Sequence, residues 1–301
     1  MSQTESTSNQ KINSFDLLMI LTVSMIWGST YPVMKFAVSS YPPGIFRAFT
    51  FFVGALAVGV YARLRRESLV VPLHERWTIA KLSVTNMALW HLGIIYGIKM
   101  LNSGRAAIMG YTMPAWALLS SGILYKEPLK MRALLGVFCS LGATFLLGHD
   151  EFTNFSGHPL GVMLTVGAAF FWGIGTTMLN HAKLSISSLC LTFWMLTFGF
   201  VFFLLVGIFY EGALWRWPTL MEWLAILYSG GLSFGVGYVA WFLVARKLTP
   251  VTSGLSVMLV PVVGLSSGAA ILGEQIALTD IAALGLILCA MVLVLRREKS
   301  N

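Results

Sequence analysis

The chain has 301 residues, of which 57% are hydrophobic and 11% charged, and its mean hydropathy is +0.78. Soluble domains carry about 25% charged residues, so a water-facing globular fold is excluded. The net charge of +8 calls for no nucleic acid, because basic residues gather where a membrane protein meets anionic lipid.

The first 14 residues, rich in Ser, Thr, Gln and Asn, are expected to form a disordered cytoplasmic tail and show no signal-peptide pattern. Apolar stretches follow at roughly 16–38, 44–62, 77–98, 106–125, 131–148, 158–180, 187–210, 220–244, 252–272 and 280–296. Each is close to the ~20 residues that a helix needs to cross ~30 Å of hydrocarbon. They are continuously apolar rather than alternating, unlike the strands of a membrane barrel. The predicted fold is an all-α membrane protein with ten transmembrane helices.

Tyr41-Pro42-Pro43-Gly44 turns the first segment into the second, and Lys126-Glu127-Pro128 stops the fourth, since proline cannot continue the helical ladder. With the N-terminus in the cytoplasm, fifteen Lys and Arg fall inside (11, 63, 65, 66, 76, 81, 126, 130, 132, 183, 246, 247, 296, 297 and 299). Only Lys99, Arg105 and Arg216 fall outside, while Lys35 and Arg47 lie within segments. That asymmetry places both termini in the cytoplasm.

The pattern also repeats. Trp27-Gly28-Ser29-Thr30 is answered by Trp172-Gly173-Ile174-Gly175, 145 positions on, and Pro114 and Glu127 by Pro261 and Glu274, 147 positions on. Two copies of five segments, at 15–150 and 158–296, cross the membrane in opposite senses because five is odd. Inverted repeats are a mark of secondary transporters.

These features carry a family resemblance. The ten segments, the Trp-Gly start of each half, the Pro114/Glu127 and Pro261/Glu274 pairs and Leu272-Gly273-Glu274 resemble the EamA-type exporters of the drug/metabolite transporter superfamily, with the YddG-like amino-acid exporters nearest. In the first half the matching stretch, Leu124-Tyr125-Lys126-Glu127, has Lys126 where the family commonly has glycine. The resemblance implies a basket of helices around a central cavity, with the third, fourth, eighth and ninth helices near the pathway. It leaves the solute open, because the superfamily moves many classes of metabolite.

Polar and aromatic residues inside the segments are the candidates for binding. Trp27, Tyr31 and Lys35 follow one another at i, i+4 and i+8, about 40° apart around one helix face; Trp172, Thr176 and Asn180 occupy the corresponding places. Lys35 either faces the cavity or snorkels to the outer surface. In the third segment Asn86, Trp90, Gly93 and Gly97 form one stripe beside His91, and mid-membrane Asn and His must face protein or a wet cavity. Ser233, Gly237 and Tyr238 are their counterparts. Gly235 and Gly237 serve as a hinge or as points of close packing. Pro114 and Pro261 are expected to kink their helices and so to gate, with Tyr111, Met113 and Trp116 flanking the first kink and Ser256 and Met258 before the second. Glu127 and Glu274, at helix ends, are expected to cap neighbouring helix N-termini.

No phosphate loop of the G-x-x-x-x-G-K-[ST] type occurs, so ATP is not the direct energy source. No cofactor or metal is implied, and Cys139, Cys190 and Cys289 read as packing residues. The leading expectation is a secondary transporter of the inner membrane that carries amino acids, outward, by alternating access. A nucleobase or a cationic amphiphile is the alternative solute, and a membrane enzyme or sensor the alternative class. Monomer and homodimer both stay open. With every acid at a segment end or in a loop, His91 is the one side chain suited to carrying a proton, and exchange or facilitated movement is expected.

Overall fold

The computed structural model describes residues 14–153, 157–240 and 258–295, and among them all regular structure is helical. The expected tail, apart from its last residue, and Ser256 lie outside the described residues. Helix α1 is Ser14–Ser40 and α2 is Pro43–Leu64. The third rod joins α3 (Leu73–Ser83), a π-helical stretch at Val84–Leu89 and α4 (Trp90–Met100). The fourth joins α5 (Ser103–Gly110) and α6 (Met113–Tyr125), and α7 (Met131–Thr153) completes the first half. The second half holds α8 (Pro159–His181), α9 (Ser188–Tyr210) and α10 (Leu220–Leu227), the last running on through a π-helical stretch at Tyr228–Gly237. Helices α11 (Leu259–Leu272) and α12 (Leu278–Leu295) follow.

Among the described residues, six helices are long and apolar enough to cross a membrane: Pro43–Leu64, Ser103–Tyr125, Met131–Thr153, Pro159–His181, Ser188–Tyr210 and Leu220–Ala240. Their outward faces are apolar. Ile123 and Phe209 are each 77% exposed and Phe145 72%, a surface suited to hydrocarbon rather than water. The protein is therefore a multi-pass membrane protein.

Packing explains the repeated Trp-Gly pair. Helix α1 lies against α11, and α8 against α6; α4 lies against α8, and α1 against the π-helical stretch of the second half. Helix α2 pairs with α9 and α7 with α12. Exchanging the halves maps each of these pairs onto another or onto itself. At the first two crossings only glycine fits. A Cβ on Gly28 would lie 2.5 Å from the Val263 Cβ, and one on Gly173 would lie 2.6 Å from the Trp116 Cβ and 2.7 Å from the Ala117 backbone N.

The prolines act unequally. Pro114 is the second residue of α6, and the chain turns at Tyr111 and Thr112 just before it, because proline has no N–H to offer the Gly110 carbonyl. Pro32 lies inside α1, which continues through it. Pro261 is the third residue of α11, and residues 241–257, which precede Met258 and that helix, lie outside the described residues.

Helices α6 and α11 end alike. Gly273 caps α11 in the left-handed region (φ 68°), and Lys126 caps α6 at φ 55°. Glycine adopts that conformation freely, whereas a Cβ costs about 1–2 kcal/mol there. Lys126→Gly is therefore expected to stabilise the protein by about 1 kcal/mol, read as a higher Tm in detergent. A lower Tm would show that the lysine side chain contributes more than its backbone strain costs.

Candidate substrate cavity

The two halves enclose a cavity of about 130 Å³, several times the space one water requires. Eight of the expected residues line it: Trp27, Tyr31, Trp90, His91, Tyr111, Trp172, Ser233 and Tyr238. Aromatic pairs from the two halves form its walls. Trp27 meets Tyr238 edge-on at 5.8 Å, and Trp90 meets Trp172 at 5.2 Å. The Trp27 indole N–H also donates to the Ser233 carbonyl at 3.2 Å, which lies in the π-helical stretch, where the i→i−4 ladder is interrupted. Two larger grooves, of about 640 and 630 Å³, lie on the flanks. The second is walled by lipid-type surface such as Phe52 and Trp217, 48% and 67% exposed.

Four candidates stand elsewhere. Lys35 is half-buried, and its Nζ donates to the Lys99 carbonyl at 2.9 Å. Asn86 is buried against Gly175, donating to the Leu82 carbonyl at 3.0 Å. Thr176 is half-buried outside the lining and Asn180 is exposed near the end of α8. Gly235 and Gly237 are buried close-approach points: a Cβ would lie 2.9 Å from the Ala57 Cβ at the first and 2.7 Å from the Trp27 Nε1 at the second. Of the residues flanking the two prolines, Tyr111 and Met113 reach the lining.

The residue that sequence reasoning passed over is Arg47. It is 1% exposed, on α2, and lines the cavity beside His91. Its signal was present: a lone arginine four residues into an apolar segment is costly there unless the site uses it. Both His91 ring nitrogens are buried without a hydrogen-bond partner, the ring packed edge-on against Phe51 at 4.8 Å. Among the described residues no Asp or Glu lies in the cavity lining.

Carboxylates instead tie helix ends together. Glu274 accepts from the Ser103 N and Oγ at 2.7 and 2.8 Å and from the Gly104 N at 3.3 Å, so its charge sits on the first turn of α5, where backbone N–H groups lack partners. Glu211 does the same for α2, through Gly44 and Ile45 at 3.0 and 2.9 Å, and also takes the Tyr96 hydroxyl at 2.6 Å. Glu75 with the Ser185 N, and Glu222 with the Ser40 Oγ, form a repeat-related pair at 2.8 and 3.0 Å. Glu127 accepts from the Ser121 hydroxyl and contacts the His181 Nε2 at 3.1 Å. The Ser121 bond, followed by the His181 ring, holds its carboxyl below the usual range.

Comparison with known proteins decides the family. One family model, the EamA-like transporter family, matches the chain twice, at residues 14–148 and 159–296. The chain belongs to the EamA-like transporter family. It is 27% identical over 278 residues to the uncharacterized transporter YoaV of Bacillus subtilis (strain 168), covering 91% of this chain and 94% of that one. It is 26% identical to the uncharacterized inner membrane transporter YedA of Escherichia coli (strain K12), covering 91% and 89%. A protein of the same strain named "Probable amino-acid metabolite efflux pump" is 25% identical, covering 91% of both chains. A crystal structure described only as that of a protein superposes with a TM-score of 0.66 at 20% identity, covering 93% of this chain and 96% of the other; it speaks to the fold alone. An EamA-like transporter takes a small-molecule solute across a membrane, and the cavity is the place in this one where aromatic walls of both halves converge.

Proposed function

We propose that this EamA-like protein is a secondary transporter of the cytoplasmic membrane that exports small metabolites, amino acids foremost, by alternating access. In this reading it has ten transmembrane helices in two inverted repeats, 15–150 and 158–296, with both termini in the cytoplasm. The observation that carries it is the cavity, whose walls come from corresponding helices of the two halves, as in transporters whose repeats rock about a shared site. The helix pairing, symmetric under exchange of the halves, supports the repeat. The name of one relative, an amino-acid metabolite efflux pump, favours the solute class.

Counterflow in proteoliposomes with labelled amino acids, nucleobases and quaternary amines tests the function. At least one amino acid is expected to exchange, at a rate that Trp27→Ala and Trp172→Ala reduce more than about tenfold without loss of folded protein. Exchange confined to nucleobases or amines would overturn the solute class, and no exchange of any solute would overturn transport by this cavity. Single cysteines in 63–75 should label only from the cytoplasm and those in 149–157 only from outside; the reverse at either site would break the inverted topology.

A further inference from the structure

Arg47 is a buried cation that, among the described residues, has no carboxylate partner. Its Nε finds no acceptor, and one terminal nitrogen, Nη2, faces the Met34 thioether at 2.8 Å, a weak acceptor. The guanidinium lies 6.0 and 5.8 Å from the Phe51 and Phe234 ring centres, which stack on each other at 5.2 Å. Ring faces offset part of the cost of holding a cation away from water, but they satisfy none of its N–H donors. Among the described residues no acidic side chain lies within ion-pair distance of it. By contrast, Arg105 and Arg216 each have a carboxylate oxygen within 2.8 Å.

Next to Arg47 in the lining stands His91, also buried and with both ring nitrogens unpartnered. Among the described residues, the Arg47 Nε and both His91 ring nitrogens thus stand in one aromatic cavity without a hydrogen-bond partner. A guanidinium presents a planar fork of donors that matches a carboxylate two bonds at a time.

We infer that Arg47 is the carboxylate anchor of the cavity, holding an amphipathic organic acid whose apolar body lies among Trp27, Trp90 and Trp172, with a His91 ring nitrogen as the second donor. The inference rests on the transport reading for its purpose and names what that reading leaves open, the group by which the solute is recognised. It also sets selectivity: a cationic amphiphile with the same body meets an unpaired positive charge and is rejected.

Equilibrium binding to the purified full-length protein in nanodiscs tests it with three probes of one ring size: phenylacetate, phenylalanine and 2-phenylethylamine. The wild type is expected to bind both acids at least about tenfold more tightly than the amine. Arg47→Gln should weaken the acids by more than about tenfold and the amine not at all. Arg47→Lys, which keeps the charge but loses the fork, should fall between. Amine binding as tight as acid binding, no acid binding by the wild type, or wild-type acid affinity in Arg47→Gln would each overturn the anchor. If Arg47→Gln does not fold, the wild-type probe order and Arg47→Lys decide. Acid binding without counterflow of any solute would sink the transport reading and keep the anchor; counterflow of other solutes without acid binding would do the reverse.

Discussion

Gly28→Ala and Gly173→Ala are each expected to destabilise the protein by about 3 kcal/mol, at the upper end of what overpacking usually costs. The added methyl groups would sit 2.5 Å from the Val263 Cβ and 2.6 Å from the Trp116 Cβ, with the Val260 O at 2.9 Å and the Ala117 N at 2.7 Å behind them. Backbone and Cβ atoms cannot rotate out of the way, so the helices themselves would have to separate. Domains are stable by only about 5–15 kcal/mol, and the expected readouts are a sharp fall in monodisperse yield and in Tm. Gly167 and Gly285 provide the contrast, because a Cβ there meets nothing within 4 Å. Alanine at those positions should be neutral or stabilising by about 0.5–1 kcal/mol. If Gly28→Ala behaves like Gly285→Ala, the Trp-Gly pair is not a packing device.

The second large effect is expected at Arg105. Its Nε and Nη1 reach Asp280 and Glu151 at 2.8 Å, and its Nη2 reaches Asp150 at 3.3 Å, tying α5 to α7 and α12. The Asp280 side chain is 2% exposed, so removing the cation leaves a charge that water cannot solvate. Arg105→Met should cost about 3–5 kcal/mol. Arg105→Lys should recover only part of that, because a point charge cannot replace a fork that serves three carboxylates. Thermal denaturation in detergent reads both; a Met variant within about 1 kcal/mol of wild type would show that the cluster is a solvated surface network.

Much of the fold was legible because hydrocarbon demands long apolar runs and because a duplicated unit leaves a near-constant offset, 145 to 147 residues here. Trp27 and Trp172 were found by that offset. Lys35 shows where periodicity stops. Spacings of four residues report the face of a helix but not the depth, and eight residues carry a side chain about 12 Å along the axis; Lys35 shares a face with Trp27 yet stands at the helix end against Lys99. Asn86 was placed on a stripe with Trp90 by assuming a uniform turn, and the π-helical stretch between them breaks that register. Arg47 was noted as lying within a segment, but a lone arginine there reads the same whether it snorkels or is enclosed. Only α4 and the stretch around Phe234, distant in the chain, show that it is enclosed.

The two π-helical stretches have a historical consequence. Val84–Leu89 and Tyr228–Gly237 overlap once the offset of 147 is applied, and widened turns of this kind are rare and frequently sit at functional sites. One family model matches both halves. A widened turn at matching places in both copies is most economically a feature of the unit that the two copies share. The two copies differ at the cavity itself: His91 stands in one third rod where its counterpart, 147 positions on, has Tyr238.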